Sequence, residues 1–79
     1  MMSAMTGKIY AITGGNSGIG RATAQILVEN GASVAILGRN QATLAATRAE
    51  LGDAALVVQG DVTHSADVRR FFAAIIERF

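Results

Sequence analysis

Four glycines fall within Thr13-Gly14-Gly15-Asn16-Ser17-Gly18-Ile19-Gly20, between an apolar run, Ile9 to Ile12, and an amphipathic segment. Glycine there lets the backbone reverse tightly and lets an anion approach with no Cβ in the way. The amides of the helix that follows then point at that anion. The loop holds no lysine or arginine. Any phosphate must therefore be bound by main-chain N–H groups and by the partial positive charge of the first helical turn.

Spacing narrows the chemistry. Gly15 to Gly20 has the gap of a nucleoside-triphosphate loop, but Arg21-Ala22 follows where Lys-Ser/Thr is needed. The G-x-G-x-x-G dinucleotide fingerprint is absent as well, because Gly18-Ile19-Gly20 runs on into Arg21-Ala22-Thr23. What remains is T-G-x-x-x-G-x-G. An NAD site places a carboxylate roughly 20 residues beyond the glycines to bond the ribose hydroxyls, and none occurs there; the residues are Gly38-Arg39-Asn40. Acid/base candidates are few. His64 has no serine nucleophile or acidic orienter at a recognisable spacing and reads as a solvated first-turn residue. No cluster suggests a metal.

The elements that position these residues alternate in type. Lys8 to Thr13 is predicted as a strand buried on both faces of a parallel sheet. Ile19, Ala22, Ile26 and Leu27 repeat at helical spacing, and Asn30-Gly31 stops that helix. Ser33 to Leu37 is a second strand. Gln41 to Leu51 is a second helix, with Asn40 as its cap and Gly52 its terminator. Ala54 to Gln59 is a third strand. Gly60-Asp61-Val62 leaves it, Thr63 is expected to cap a third helix, and Val68, Phe71, Phe72, Ile75, Ile76 and Phe79 form that helix's apolar stripe. The order βαβαβα implies α/β architecture: three strands and three helices forming half of a Rossmann-type doubly wound parallel sheet. Residues 1–6 carry no pattern and read as a flexible start, and residues 7–79 as one incomplete domain without a linker.

Lysine plus arginine number 7 against 6 acidic residues, and there is no cysteine. That balance argues against nucleic-acid and membrane partners and fits a cytoplasmic protein. Arg69-Arg70 reads as a solvated face.

The T-G-x-x-x-G-I-G turn in this strand and helix context resembles the short-chain dehydrogenase/reductase family, from Thr6 onward. The resemblance implies hydride transfer between a nicotinamide dinucleotide and an alcohol or carbonyl. It implies cofactor contacts at Gly14, Asn16, Ser17, Gly18, Ile19, Gly20, Arg39, Asn40, Asp61 and Val62, with the Ile19 and Gly20 amides on the pyrophosphate. Arg39 stands where many NADP-preferring members have a basic residue, so NADP(H) is favoured over NAD; alternatively Arg39 extends into water. Asp61-Val62 resembles the acidic and apolar pair at the adenine ring, and alternatively Asp61 helps start the third helix. The family's catalytic tyrosine, and the lysine four residues later, have no counterpart: the one tyrosine is Tyr10, the one lysine is Lys8, and Gly14 stands four after Tyr10. The chain is therefore expected to be the inactive cofactor-binding piece of a longer oxidoreductase. In the family's strand order the first strand lies mid-sheet, which here leaves it an edge able to self-associate through Ile9 to Ile12. A stand-alone nucleotide-binding or interaction module is the other reading.

Overall fold

The computed structural model describes residues 6–14 and 18–79. Its elements alternate as β1 (Ile9–Thr13), α1 (Gly18–Glu29), β2 (Ser33–Gly38), α2 (Gln41–Leu51), β3 (Ala55–Gln59) and α3 (Ser65–Arg78), with a 3-10 turn, Gly52–Ala54, before β3. The strands form one parallel sheet in the order β1-β2-β3. Ile36 of β2 pairs with Ile12 on one side and Val57 on the other. The expected βαβαβα sheet is the observed one, and β1 is an edge.

Sequence explains why β2 is central. Val34, Ala35, Ile36 and Leu37 are all buried, so both faces of this strand meet a helical layer. On one face Val34 and Ile36 pack with Ala24 of α1, Leu44 and Leu51 of α2, and Ala55. On the other Ala35 and Leu37 pack with Val58 and Phe71 of α3. Each fully buried aliphatic side chain contributes about 1.5–3 kcal/mol through removal from water. Thr47 is buried too, and its hydroxyl donates to the Thr43 carbonyl.

The helices end where local chemistry ends them. Asn40 Oδ1 accepts the Ala42 and Thr43 N–H groups and starts α2. At the end of α1 the Gly31 N–H donates to Val28 and the Ala32 N–H to Leu27, a Schellman pair that turns the chain into β2. Arg21 of α1 forms an ion pair with Glu50 of α2.

Three expectations change. His64, not Thr63, is the N-cap of α3, and its side chain makes no capping bond; the Thr63 N–H and hydroxyl both go to Asp61. In α1 the sheet covers Ala24, Leu27 and Val28, whereas Ile19 and Ile26 are 87% and 59% exposed. The apolar stripe is wider than the surface the sheet offers it. The same holds in α3, where Phe71 is buried but Phe72, Ile76 and Phe79 are exposed. β1 is only half covered: Tyr10 and Ile12 face the α1/α2 core, while Ile9, Ala11 and Thr13 are exposed.

Candidate functional site

Parallel strands deliver their C-terminal ends to one edge of the sheet, and three short loops leave from there. Two backbone bonds carry the ladder past the strands: the Gly14 N–H donates to Leu37 at 2.9 Å, and the Gly60 N–H to Gly38 at 2.9 Å. The three loops stay in register. Between them opens a cleft of about 680 Å³ whose lining includes Gly14, Arg39, Asn40, Asp61, Val62 and Thr63.

The first loop leads into α1. Gly14 has φ 71° and Gly18 φ 54°, conformations that side chains with a Cβ rarely adopt. A Cβ at either position would meet nothing within 4 Å among the described residues, and backbone conformation by itself favours glycine there. Gly18, Ile19 and Gly20 open α1 but are not among the residues that line the cleft. The first turn of α1 has no acidic residue to cancel its positive end. The contacts expected of Asn16 and Ser17 lie outside the described residues.

The second loop carries the cation. Arg39 is exposed at the cleft, and its guanidinium makes no hydrogen bond or ion pair with another described residue. Its main chain, in contrast, is fastened: the Arg39 carbonyl accepts from Gln59 Nε2 at 3.2 Å. Asn40 is occupied in capping α2.

The third loop carries the acceptor. The Thr63 N–H and hydroxyl donate to Asp61 Oδ1 at 2.9 and 2.7 Å. These two bonds, backbone first, hold the Asp61 carboxyl below its ordinary value, and the positive charges of His64 and Arg39 add to the effect. Asp61 Oδ2 accepts nothing from a described residue. Behind the loop, the Asp61 N–H donates to Asp67 Oδ2 at 2.9 Å. That bond chiefly lowers the Asp67 pKa, with Arg70 assisting. Arg70 Nη2 donates to the Gln59 carbonyl at 2.6 Å and lies 3.4 Å from Asp67 Oδ1.

Gln59, Thr63, Asp67 and Arg70 were not singled out as site residues by sequence reasoning. Only Thr63 left a local signal, since an Asp followed two residues later by Thr suits a side-chain turn. His64 is 68% exposed and 3.7 Å from Asp67, as a solvated residue would be. Among the described residues no group of His, Cys, Asp or Glu could hold a metal, and no helix is long and apolar enough to cross a membrane. The cleft thus presents an exposed guanidinium for an anion and an ionised carboxylate for a hydrogen-bond donor, while the N-terminus of α1 lies outside its lining.

Comparison with known proteins identifies the family and the fold. Residues 8–79 match the family model described as short chain dehydrogenase. The chain is 48% identical over 71 residues to oxidoreductase asL5 of Sarocladium schorii, covering 90% of this chain and 28% of that protein. It is 39% identical to ipsdienol dehydrogenase of Ips pini, covering 100% of this chain and 30% of the relative. Among solved structures, 3-ketoacyl-(acyl-carrier-protein) reductase from Brucella melitensis, complexed with NADH, superposes with a TM-score of 0.93 at 37% identity, covering 96% of this chain and 31% of that one. The chain spans about 30% of the length of such relatives.

Proposed function

The chain belongs to the short-chain dehydrogenase family, and from that premise we propose that it is the adenosine-and-pyrophosphate-binding segment of an oxidoreductase that moves a hydride between NADP(H) and an alcohol or carbonyl. The nicotinamide would supply the hydride chemistry. This chain's residues supply binding and orientation only, since Tyr10 and Lys8 sit at β1 and neither lines the cleft.

One observation carries the reading: the sheet brings Gly14, Arg39 and Asp61 to a single cleft at the C-terminal ends of its strands. The donor set suits such a group. The main-chain amides of Gly18, Ile19 and Gly20, with Asn16 and Ser17 of the turn, would take the pyrophosphate. Arg39, beside Asn40, would take a 2′-phosphate through charge-assisted hydrogen bonds. Asp61 would accept from the adenine amino group, with Val62, 58% exposed at the cleft, against the ring.

Titration of the chain with NADP⁺ and NAD⁺ in parallel tests this. NADP⁺ is expected to bind more tightly, and Arg39→Ala to weaken NADP⁺ roughly tenfold while NAD⁺ changes little, a modest value because the contact is exposed. Equal loss for both nucleotides, or none, would refute the 2′-phosphate assignment. The chain alone is expected to show no NADP(H) turnover with any alcohol or carbonyl.

A second reading keeps the binding site but adds a partner. The open β1 edge, with Ile9, Ala11 and Thr13 exposed, favours self-association or a chain that adds a strand there.

A further inference from the structure

We propose that Gln59 is a specificity-determining positioning residue for this cleft: its side-chain amide fixes the main chain of Arg39, and Arg70 of α3 fixes Gln59. The inference rests on the reading of Arg39 as the partner of a 2′-phosphate.

Arg39 stands alone between the last residue of β2 and the cap of α2. On one side the Gly38 carbonyl accepts the Gly60 N–H at 2.9 Å. On the other Asn40 is held by its two capping bonds. The Arg39 carbonyl itself receives Gln59 Nε2 at 3.2 Å. With these three anchors only side-chain torsions stay free, so less entropy is lost when the guanidinium pairs with an anion.

Gln59 can act as an anchor because it is itself anchored. Its carbonyl accepts from Arg70 Nη2 at 2.6 Å. Arg70 pairs with Asp67, whose other oxygen accepts the Asp61 N–H at 2.9 Å. The residue between them is closely approached: a Cβ on Gly60 would stand 3.0 Å from Leu37 Cδ1 and 3.0 Å from Asp67 Cβ. One chain of bonds from the first turns of α3 therefore sets both the carboxylate loop and the arginine loop. Arg69 is not part of it; its guanidinium turns back to Ser65.

Gln59→Met keeps the length of the side chain and removes the amide. Calorimetric titration of the full chain with NADP⁺ and NAD⁺ is expected to show NADP⁺ binding roughly three- to tenfold weaker, the worth of one neutral hydrogen bond, with NAD⁺ within about twofold and the melting temperature unchanged. In an Arg39→Ala background the same substitution should then cost nothing further. Equal weakening of both nucleotides, or an unchanged NADP⁺ affinity while Arg39→Ala still weakens it, overturns the role of Gln59 and leaves that of Arg39 intact. If Arg39→Ala changes neither nucleotide, or neither binds, the reading of Arg39 falls and this inference with it.

Discussion

Asp61 and Asp67 face each other through one backbone bond, and both carboxyls titrate below their ordinary value for the same reason: each accepts a backbone N–H, from Thr63 and from Asp61 respectively. A folded-state pKa below the unfolded one contributes stability that is full above the ordinary carboxylate value and is lost as pH falls through the depressed one. The chain should therefore lose stability from the mid-acid range downward as these bonds are titrated away. Asp67→Asn keeps an acceptor for the Asp61 N–H but cannot titrate, so it should flatten this part of a melting-temperature profile. An unflattened profile would place the acid sensitivity elsewhere. Gly60 makes the complementary case for shape: Gly60→Ala must push on Leu37 and Asp67 together, and is expected to destabilise by about 1–3 kcal/mol, read by urea denaturation.

At the scale of elements, α3 separates what patterning reveals from what it hides. Its spacing identified a helix with an apolar stripe, yet of its two phenylalanines only Phe71 is buried, and Phe79, just past its end, is exposed. Phe71→Ala should cost about 3–5 kcal/mol, a large share of the roughly 4–12 kcal/mol expected for a chain of 79 residues. Phe72→Ala should cost under about 1 kcal/mol. Thermal melts of the two variants would separate them, and similar losses would mean that the stripe is buried as a whole. The start of α3 offers a gain. His64 has N-cap geometry, φ -104° and ψ 114°, without a capping bond, so His64→Ser should stabilise by about 0.5–1 kcal/mol. Strands, helices and the glycine turn were legible because they depend on local periodicity, caps and backbone sterics. The place of Arg39 and Asp61 at the cleft was legible because they stand one and two residues past the ends of β2 and β3. Gln59, Asp67 and Arg70 were not, because their partners lie in other elements: nothing near Gln59 in the chain signals that its amide will reach the carbonyl of Arg39, twenty positions away.

At the scale of the whole molecule the sheet is lopsided: β2 is buried on both faces while β1 offers one side to solvent. Backbone direction alternates along a strand, and the Ser33 N–H donates to Lys8 while the Gly14 N–H donates to Leu37. Lys8, Tyr10, Ile12 and Gly14 therefore turn their peptide groups toward β2, and Ile9, Ala11 and Thr13 turn theirs outward. Such an edge is normally guarded by proline, charge or a bulge, and Ile9–Thr13 holds neither proline nor charge. Two copies related by a twofold axis at Ala11 could pair antiparallel, with Ile9 of each opposite Thr13 of the other. Ala11→Pro tests this cleanly, because its missing N–H is one that points away from β2, as edge strands tolerate. Sedimentation of the original chain should show a concentration-dependent dimer, and the Ala11→Pro variant a monomer with the same circular dichroism. Ile12→Pro, which removes an N–H that points toward β2, should instead unfold the chain. A monomer at every concentration in the original chain would end the self-association proposal and leave the reading of the cleft at the strand ends untouched.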